Sequence, residues 1–387
     1  MRSETNYTIT SGEVYSWCRE CLLQARLLKD HGPFCTAAVV LAIVLRATAR
    51  SISISAACCD LRHAPSDHAV LTALDDGLPK TLPVLERRLN EALVGRLPRS
   101  MRRRAWEVAI DFHLNPYYGQ PYRSRNEIYY GKAKQGTSKF HAYASACIVE
   151  YGRRYTLALT WVRRHESTVA VMRRLLARIG EIGLKIRCLL LDRGFFSVAV
   201  MVFLQREKLP FLMPVKFAGR RPKKGRKATG LRAFLRRPAG WSSYTMRSGG
   251  QEATFSVCIG YRRYQKDGKS RNQKLLFAAW RVHGSPTEIR ERYRKRFGIE
   301  ASYRQRRQGR LYTSTRHPHE RLFYIAVAFI LRNVWVWIHQ TRLAEGSGDT
   351  MTLHLELLRF KRMLCWIAWE IEFLCRDNSM TYATQPP

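Results

Sequence analysis

The order of strand-like and helical segments in the middle of the chain constrains its fold more than any other feature. From residue 105 to residue 215, alternating apolar runs give way to segments with the period of a helix. The predicted strands span residues 107–112, 142–150, 155–162, 187–191 and 211–215, and the predicted helices span residues 167–182 and 197–207. In the first helix Ser167 is the expected N-cap, with Val171, Leu175 and Ile179 on the apolar face. This order predicts an α/β fold with a mixed five-stranded sheet that begins as an antiparallel meander.

Such an order is that of an RNase H-like core, here in two parts, residues 105–215 and 286–340. The segment between them, residues 216–285, has a different composition. From Lys216 to Lys274 it holds 17 lysines and arginines but only two acidic residues. Its later half alternates as strands do, around a turn at residues 266–269. We therefore expect a basic, β-rich insertion that interrupts the core.

Helical patterns flank the core on both sides. Residues 1–104 form the predicted helical N-terminal region, for which binding of DNA ends and simple packing on the core are both open. Residues 341–387 form the predicted C-terminal region, suited to dimerisation, with an amphipathic helix over residues 351–375. A chain of 387 residues is long enough for several such regions to share a sizeable core.

Charge narrows the class of partner to nucleic acid. The formal net charge is +37, and such a field attracts a phosphate backbone. Neither a basic amphipathic helix nor a lipidation signal points to a membrane surface. The apolar segment 322–338 contains Arg332 and Asn333, which favours a buried core helix over a membrane span. Ten cysteines without a secretory signal indicate reduced thiols in a cytoplasm.

Three carboxylates indicate a metal site in this cation-rich chain. Asp111 and Asp192 end apolar strand-like runs that an RNase H-like sheet places side by side, and Glu300 lies in an arginine-rich helical segment. A carboxylate that leaves water costs free energy unless it is paired or binds a cation. Hard oxygen ligands suit Mg²⁺, and two such ions about 3.5–4 Å apart perform phosphoryl transfer. We expect two Mg²⁺ ions here, with Mn²⁺ able to substitute.

The surroundings of Glu300 suggest phosphate contacts. On a continuous helix Tyr293, Arg296, Glu300 and Arg307 would share one face. A phenol and two guanidinium groups would then flank the carboxylate, and guanidinium groups suit bidentate phosphate binding. A solvated charged face is the alternative.

These residues also carry a family resemblance. Asp111-Phe112-His113, Asp192-Arg193-Gly194-Phe195 and Tyr293-x2-Arg296-x3-Glu300-x6-Arg307 resemble the signature of DDE transposases of the IS4 type, and more closely that of the ISH3-like branch. The pattern of that family ends in lysine, where this chain has Arg307. The likeness covers residues 105–340.

The resemblance implies cut-and-paste transposition at the ends of an insertion sequence. Metal-dependent cleavage would leave a 3′-hydroxyl group, which then attacks target DNA. The implied partners are the inverted-repeat ends, the target DNA and a second copy of the chain in a synaptic complex. The implied location is the cytoplasm of a prokaryote, in association with the nucleoid. A DNA-binding relative without activity and a structure-specific Mg²⁺-dependent nuclease are the alternatives.

Other residues have weaker functional signals. In relatives a tryptophan of the insertion stacks on a flipped base, which makes Trp241 and Trp280 candidate DNA contacts, although a tryptophan in a strand is more often core. His113 would share the face of Asp111 only if its strand continued past Phe112. His317-Pro318-His319 is too tight for a typical metal site without further ligands, and a turn at the start of a helix explains it.

Overall fold

The structure is a computed structural model that describes residues 8–223, 226–346 and 351–375. Its helices are α1 (Ser11–Gln24), α2 (Ala37–Arg50), α3 (Ile54–Asp60), α4 (Asp67–Gly77), α5 (Leu82–Val94), α6 (Thr168–Ile182), α7 (Val198–Arg206), α8 (Pro286–Arg294), α9 (Phe297–Arg306), α10 (Pro318–Thr341) and α11 (Phe360–Leu374). Its strands are β1 (Ala105–Pro116), β2 (Tyr129–Lys134), β3 (Thr137–Ile148), β4 (Thr156–Val162), β5 (Lys185–Leu191), β6 (Phe211–Pro214), β7 (Gly240–Ser248), β8 (Gln251–Lys266), β9 (Lys269–Trp280), β10 (Ala344–Glu345) and β11 (Thr352–Leu353).

The chain divides into two compact units. A sheet unit comprises residues 98–116 and 128–301, and a helical unit comprises residues 1–97, 117–127 and 302–387. The boundary falls inside α9, between residues 301 and 302.

The sheet unit is built on a mixed nine-stranded sheet. Along the sheet the strand order is β2-β3-β1-β5-β6-β9-β8-β7, and β4 pairs with β3. Strand β1 runs antiparallel to β3 and parallel to β5. The five expected strands correspond to β1, β3, β4, β5 and β6, so the predicted α/β class with a mixed sheet is confirmed. Four further strands extend the sheet beyond those five.

The insertion joins the same sheet. Strand β9 pairs antiparallel with β6, with Phe211 opposite Trp280 and Met213 opposite Ala278. The apolar second half of β9 thus covers the backbone edge of a buried strand, which would otherwise keep unpaired polar groups. Pairing of β8 and β7 beyond it makes the insertion a continuation of the core sheet.

Helix α6 shows how the local sequence determines a helix that packs on the sheet. Ser167 caps its start, because the Ser167 hydroxyl accepts a hydrogen bond from the amide of Ala170 at 3.2 Å. The expected apolar residues Val171, Leu175 and Ile179 are buried, and they pack the helix on the sheet.

The helical unit surrounds α10. This helix is long and apolar enough to cross a membrane, but 94% of its most apolar stretch is buried inside the protein, as is usual for a core helix. Its polar residues have partners within the unit: Asn333 donates to the carbonyl of Leu93 at 2.8 Å, and Arg332 donates to the Gln305 amide oxygen at 3.2 Å. The predicted buried helix is therefore present.

The last helix begins later than expected. Residues 351–359 precede α11, and Thr352 pairs with Glu345 in a two-residue β-ladder. The carbonyl of Leu358 accepts hydrogen bonds from Trp335 at 2.7 Å and from His339 at 2.9 Å. Since side chains of α10 occupy this carbonyl, the helix starts only at Phe360.

A buried carboxylate fixes α8 on the sheet. The side chain of Glu107 on β1 is 5% exposed, and it accepts a hydrogen bond from Arg292 at 2.6 Å. Lys295 lies 3.3 Å from the same carboxylate and Arg187 of β5 lies 3.5 Å from it. Because a buried carboxylate requires such partners, this cluster sets the position of the segment that leads to Glu300.

Replacement of Glu107 by glutamine should therefore destabilise the protein. Glutamine keeps the volume but removes the charge that three cations share, and we expect a loss of about 1–3 kcal/mol in the free energy of unfolding. Urea denaturation measures it. Glu252→Gln is the matched control, because Glu252 pairs with Arg247 on the surface of the same unit, where ion pairs contribute about 0–1 kcal/mol. Equal losses in the two variants would contradict the anchoring role of Glu107.

Candidate active site

Two neighbouring parallel strands place the aspartates together. Ile110 of β1 pairs with Leu191 of the parallel strand β5. The residue that follows each of these is an aspartate, so Asp111 and Asp192 lie side by side. Asp192 comes directly after β5, and its side chain accepts a hydrogen bond from the amide of Gly194 at 2.7 Å. A Cβ atom at position 194 would lie 2.9 Å from that same oxygen. The glycine of the Asp-Arg-Gly sequence is thus required by the tight turn that holds Asp192.

Arg296 connects the three carboxylates. Its guanidinium group lies 3.2 Å from Asp111, 4.0 Å from Asp192 and 2.9 Å from Glu300. The arginine side chain is only 7% exposed, whereas Glu300 is 47% and Asp192 39% exposed. The structure therefore brings the predicted trio around one buried cation, with two of the three carboxylates open to solvent.

Burial dominates the electrostatics of Asp111. It raises the pKa of Asp111 to about 6, and the negative charges of Asp192 and Glu300 raise it too, although Arg296 acts in the opposite direction. Burial likewise raises the pKa of the Tyr293 hydroxyl above its usual range. Tyr293 is consequently a protonated hydrogen-bond donor at neutral pH.

The sequence matches one known family over more than half its length. The family described as Transposase DDE domain matches residues 104–333, a segment that includes all three carboxylates. The chain belongs to the DDE transposase family. Members of this family perform phosphoryl transfer on nucleic acid and generally use divalent metal ions. No curated protein matches the sequence.

Among solved structures, the chain is similar to a piggyBac transposase, determined by cryo-EM in a synaptic complex with hairpin DNA. The TM-score is 0.54 at 11% sequence identity, and the match covers 94% of this chain and 78% of the other. At this identity the similarity establishes the fold, which is that of a transposase with an RNase H-like core.

The donor set fits the divalent ions that DDE transposases use. All three side chains offer carboxylate oxygens, the ligands that Mg²⁺ prefers. A positive group, the guanidinium of Arg296, already lies among them, which shows that the carboxylates together attract a cation. Ions held by the trio would replace the ion pairs that Arg296 makes.

The expectation of one continuous helix around Glu300 is wrong. Tyr293 lies in α8 and Glu300 in α9, and Arg296 lies in the two-residue link between these helices, residues 295–296. Backbone bonds from Arg296 to Tyr293 and from Gly298 to Lys295 span three residues instead of four, which tightens the link and breaks the helix. Gly298 packs so closely that a Cβ atom there would lie 3.1 Å from the carbonyl oxygen of Val149. The chain at Gly298 therefore packs against the residue that follows β3, and the helix is interrupted just before this point.

Arg307 does not share a helix face with the other three residues. It follows the last residue of α9, is exposed, and belongs to the helical unit. Its role as a phosphate contact stays a prediction.

A basic cavity of about 810 Å³ adjoins Tyr293. The cationic residues that line it are Arg193, Arg262, Arg263, Lys274, Arg290 and Arg294, and the aromatic ones are Phe217, Phe277, Tyr293 and Phe297. It lies between the β8–β9 hairpin and α8, so no local pattern in the sequence predicts it. The adjacent arginines of β8, Arg262 and Arg263, are the sequence signal that could have suggested a basic surface here.

The two tryptophans of the insertion have different surroundings. Trp241 is 38% exposed and its indole nitrogen donates to the carbonyl of Gly284 at 2.9 Å. Trp280 packs parallel to Phe211, with ring centroids 6.4 Å apart, and Arg281 covers it at 4.4 Å. Contact of either residue with DNA stays a prediction, for which Trp241 offers more accessible ring surface.

His113 belongs to the core. Strand β1 continues to Pro116 instead of ending at Phe112, because β3 pairs with it along that length. The imidazole of His113 is buried and stacks on Tyr143 at 5.3 Å. His113 therefore does share the face of Asp111, where its buried ring packs beside that residue.

The raised pKa of Asp111 predicts a pH-dependent stability. Because its pKa is about 6 in the folded state and 3.8 in its unperturbed state, the folded protein binds more protons between these values, and stability falls as the pH rises through 6. Without metal, Asp111→Asn should be more stable than the parent by about 1–3 kcal/mol at pH 7.5 and equally stable at pH 4. Urea denaturation in chelator measures this. A difference that does not change with pH would contradict it.

Proposed function

We propose that the chain is a cut-and-paste DNA transposase of the IS4 type, from the ISH3-like branch, in which Asp111, Asp192 and Glu300 hold two Mg²⁺ ions. Mn²⁺ would substitute, since it accepts the same oxygen ligands. The observation that carries the proposal is the convergence of these three carboxylates on the Arg296 guanidinium within the segment that matches the DDE domain.

Each residue of the site has a role that its chemistry supports. Bound divalent ions would stabilise negative charge on the phosphodiester and activate the attacking hydroxyl group. Asp111 binds a cation only when it is ionised, which its pKa of about 6 permits at neutral pH. Arg296, once released from the carboxylates, offers a planar pair of donors to phosphate oxygens. Tyr293 stays protonated and can donate a hydrogen bond to the same phosphate.

The exposed side of the site suits a DNA strand. Glu300 and Asp192 face solvent, and the basic cavity next to Tyr293 supplies positive charge and aromatic surface. Cations attract the phosphate backbone irrespective of sequence, whereas aromatic rings can stack on bases. We infer that element ends and target DNA pass along this surface, with Trp241 and Trp280 as candidate base contacts. Arg307, in the helical unit, is a separate candidate phosphate contact.

The cut-and-paste scheme also requires two element ends and two active sites. We infer a homodimer in a synaptic complex, with the N-terminal region 1–104 binding DNA ends and the C-terminal region 341–387 contributing to dimerisation. The expected location is the nucleoid in the cytoplasm of a prokaryote.

Neutral substitutions of the trio test the catalytic proposal. Asp111→Asn, Asp192→Asn and Glu300→Gln should each reduce cleavage of a labelled element end by at least about 10³-fold, because removal of one ligand charge weakens metal binding. Their affinity for the same DNA should stay within about threefold. Glu181→Gln on the surface of α6 is the control and should cleave normally.

A strand-transfer assay with a target plasmid completes this test. Joined products from the parent support transposition, whereas cleavage without joining would indicate a nuclease. Full cleavage by any variant of the trio would remove that residue from the site.

The salt dependence of DNA binding tests the role of the cavity. Replacement of Arg262 and Arg263 by glutamine should weaken binding and reduce the slope of log affinity against log salt concentration by about 1–2, since each cation on a duplex phosphate contributes about 0.9. Fluorescence anisotropy over a series of salt concentrations measures the slope. The control is Arg206→Gln at the exposed end of α7, outside the cavity lining. An unchanged slope in the double variant would place the DNA elsewhere.

A further inference from the structure

Four metal-ligating side chains meet in the helical unit, apart from the carboxylate trio. Asp75 belongs to α4, and His317, His319 and Glu320 lie at the start of α10. One ligand atom from each of the four lies within 4.8 Å of all the others. Because Asp75 is 242 residues away from His317 in the chain, the fold alone creates this group.

The contacts within the group arrange nitrogen and oxygen donors around a common centre. One oxygen of Asp75 lies 2.9 Å from Nδ1 of His317 and 3.2 Å from Nε2 of His319. An oxygen of Glu320 lies 3.0 Å from the same His317 nitrogen. Two imidazoles and two carboxylates thus direct their ligand atoms at one another.

Packing fixes these side chains in place. Glu320 is 7% exposed and His319 is 13% exposed. The ring of Tyr122 covers His317 at a centroid distance of 3.9 Å, and the backbone amide of Tyr122 is held by Glu127. Rigid, partly buried donors lose little conformational freedom when they bind a ligand.

We propose that Asp75, His317, His319 and Glu320 bind one Zn²⁺ ion. Zinc is typically held by four ligands in a tetrahedron, with bonds of about 2.0–2.2 Å to histidine nitrogen and carboxylate oxygen, which places the ligand atoms about 3.3–3.6 Å apart. Three of the separations, 2.9–3.2 Å, are slightly shorter than that value, and all pairs lie within 4.8 Å, so the side chains would need to move apart or together only modestly to surround an ion. Imidazole donors favour zinc over Mg²⁺, which distinguishes this site from the oxygen-only trio.

Nearby positive groups oppose the ion, among them Lys80, the helix end and Arg321, whose charge acts on Glu320. Lys80 lies 3.6 Å from Asp75 and also donates to the carbonyl of Asp75, and the N-terminal end of α10 carries a partial positive charge. The Lys80 side chain is 57% exposed and can move into water. The two carboxylates supply two negative charges against the helix end, so the site retains a net attraction for a divalent ion.

A bound ion would link α4 to the start of α10. It would act as a cross-link over a long stretch of chain, and a ligand that binds only the folded protein raises the thermal midpoint. At an ion concentration about a hundredfold above the dissociation constant, the expected rise is roughly 3 °C for a chain of this length.

The test uses the full chain with the substitutions Asp111→Asn and Glu300→Gln. These disable the carboxylate trio, so that zinc binding there does not contribute to the signal. After treatment with chelator, Zn²⁺ alone is added in a calorimetric titration. We expect one ion per chain at this site and the rise in thermal midpoint. With Co²⁺ in place of Zn²⁺, the visible absorption of a four-coordinate ion should appear.

Variants locate the ion. His317→Ala with His319→Ala should lose this binding event, the cobalt absorption and the rise in midpoint, whereas His68→Ala on the exposed surface of α4 should keep all three. Asp75→Asn preserves the shape of the cluster and should weaken zinc binding at least tenfold, which covers the case in which the double variant fails to fold. No zinc bound by the background protein, or equal binding by Asp75→Asn, would overturn the proposal.

Discussion

Two carboxylates on one face of β1 organise the sheet unit. Glu107 pairs with Arg292 and Asp111 pairs with Arg296, so a strand and the α8–α9 segment are joined by two ion pairs at the same spacing of four residues. Both carboxylates leave water, and each would be costly without its partner. The two arginines therefore hold α8, and the residues that follow it, on the sheet. Because the Glu107–Arg292 pair fixes α8, the chain enters α9 in a position from which Glu300 lies near the aspartates.

The arrangement also explains how three like charges can lie close together. Arg296 compensates them in part, and burial together with mutual repulsion still leaves Asp111 with a raised pKa. Fold stability and metal binding consequently oppose each other at this position. Such opposition is common at active sites, where residues are kept for chemistry although they destabilise the fold.

Local patterns predicted what depends on local interactions. The five core strands, the cap at Ser167 and the apolar face of α6 follow from alternation and helical period. The helix break before Glu300 could not be predicted in this way, because it depends on the close contact of Gly298 with the carbonyl of Val149. The late start of α11 depends on Trp335 and His339, which bind the carbonyl of Leu358.

The candidate sites show the same division. The proximity of Asp111 and Asp192 was predictable because the middle of β1 lies beside the end of its parallel neighbour β5. Arg296 was expected to contact phosphate, and its central position among the carboxylates is visible only in three dimensions. The tight His317-Pro318-His319 turn gave no sign of Asp75, since the partner comes from a distant helix.

The uneven lengths of the outer strands have a consequence for the lifetime of the protein. Strand β7 stops pairing at Ile259, so from Gly260 to the turn β8 is paired with β9 alone. A two-stranded ribbon is marginally stable by itself, and repulsion between closely spaced arginines weakens it further. Among the described strands this tip has few stabilising neighbours, so its local unfolding requires little free energy, and its basic residues suit trypsin-like proteases. Nucleic acid bound along the ribbon would shield these residues from cleavage.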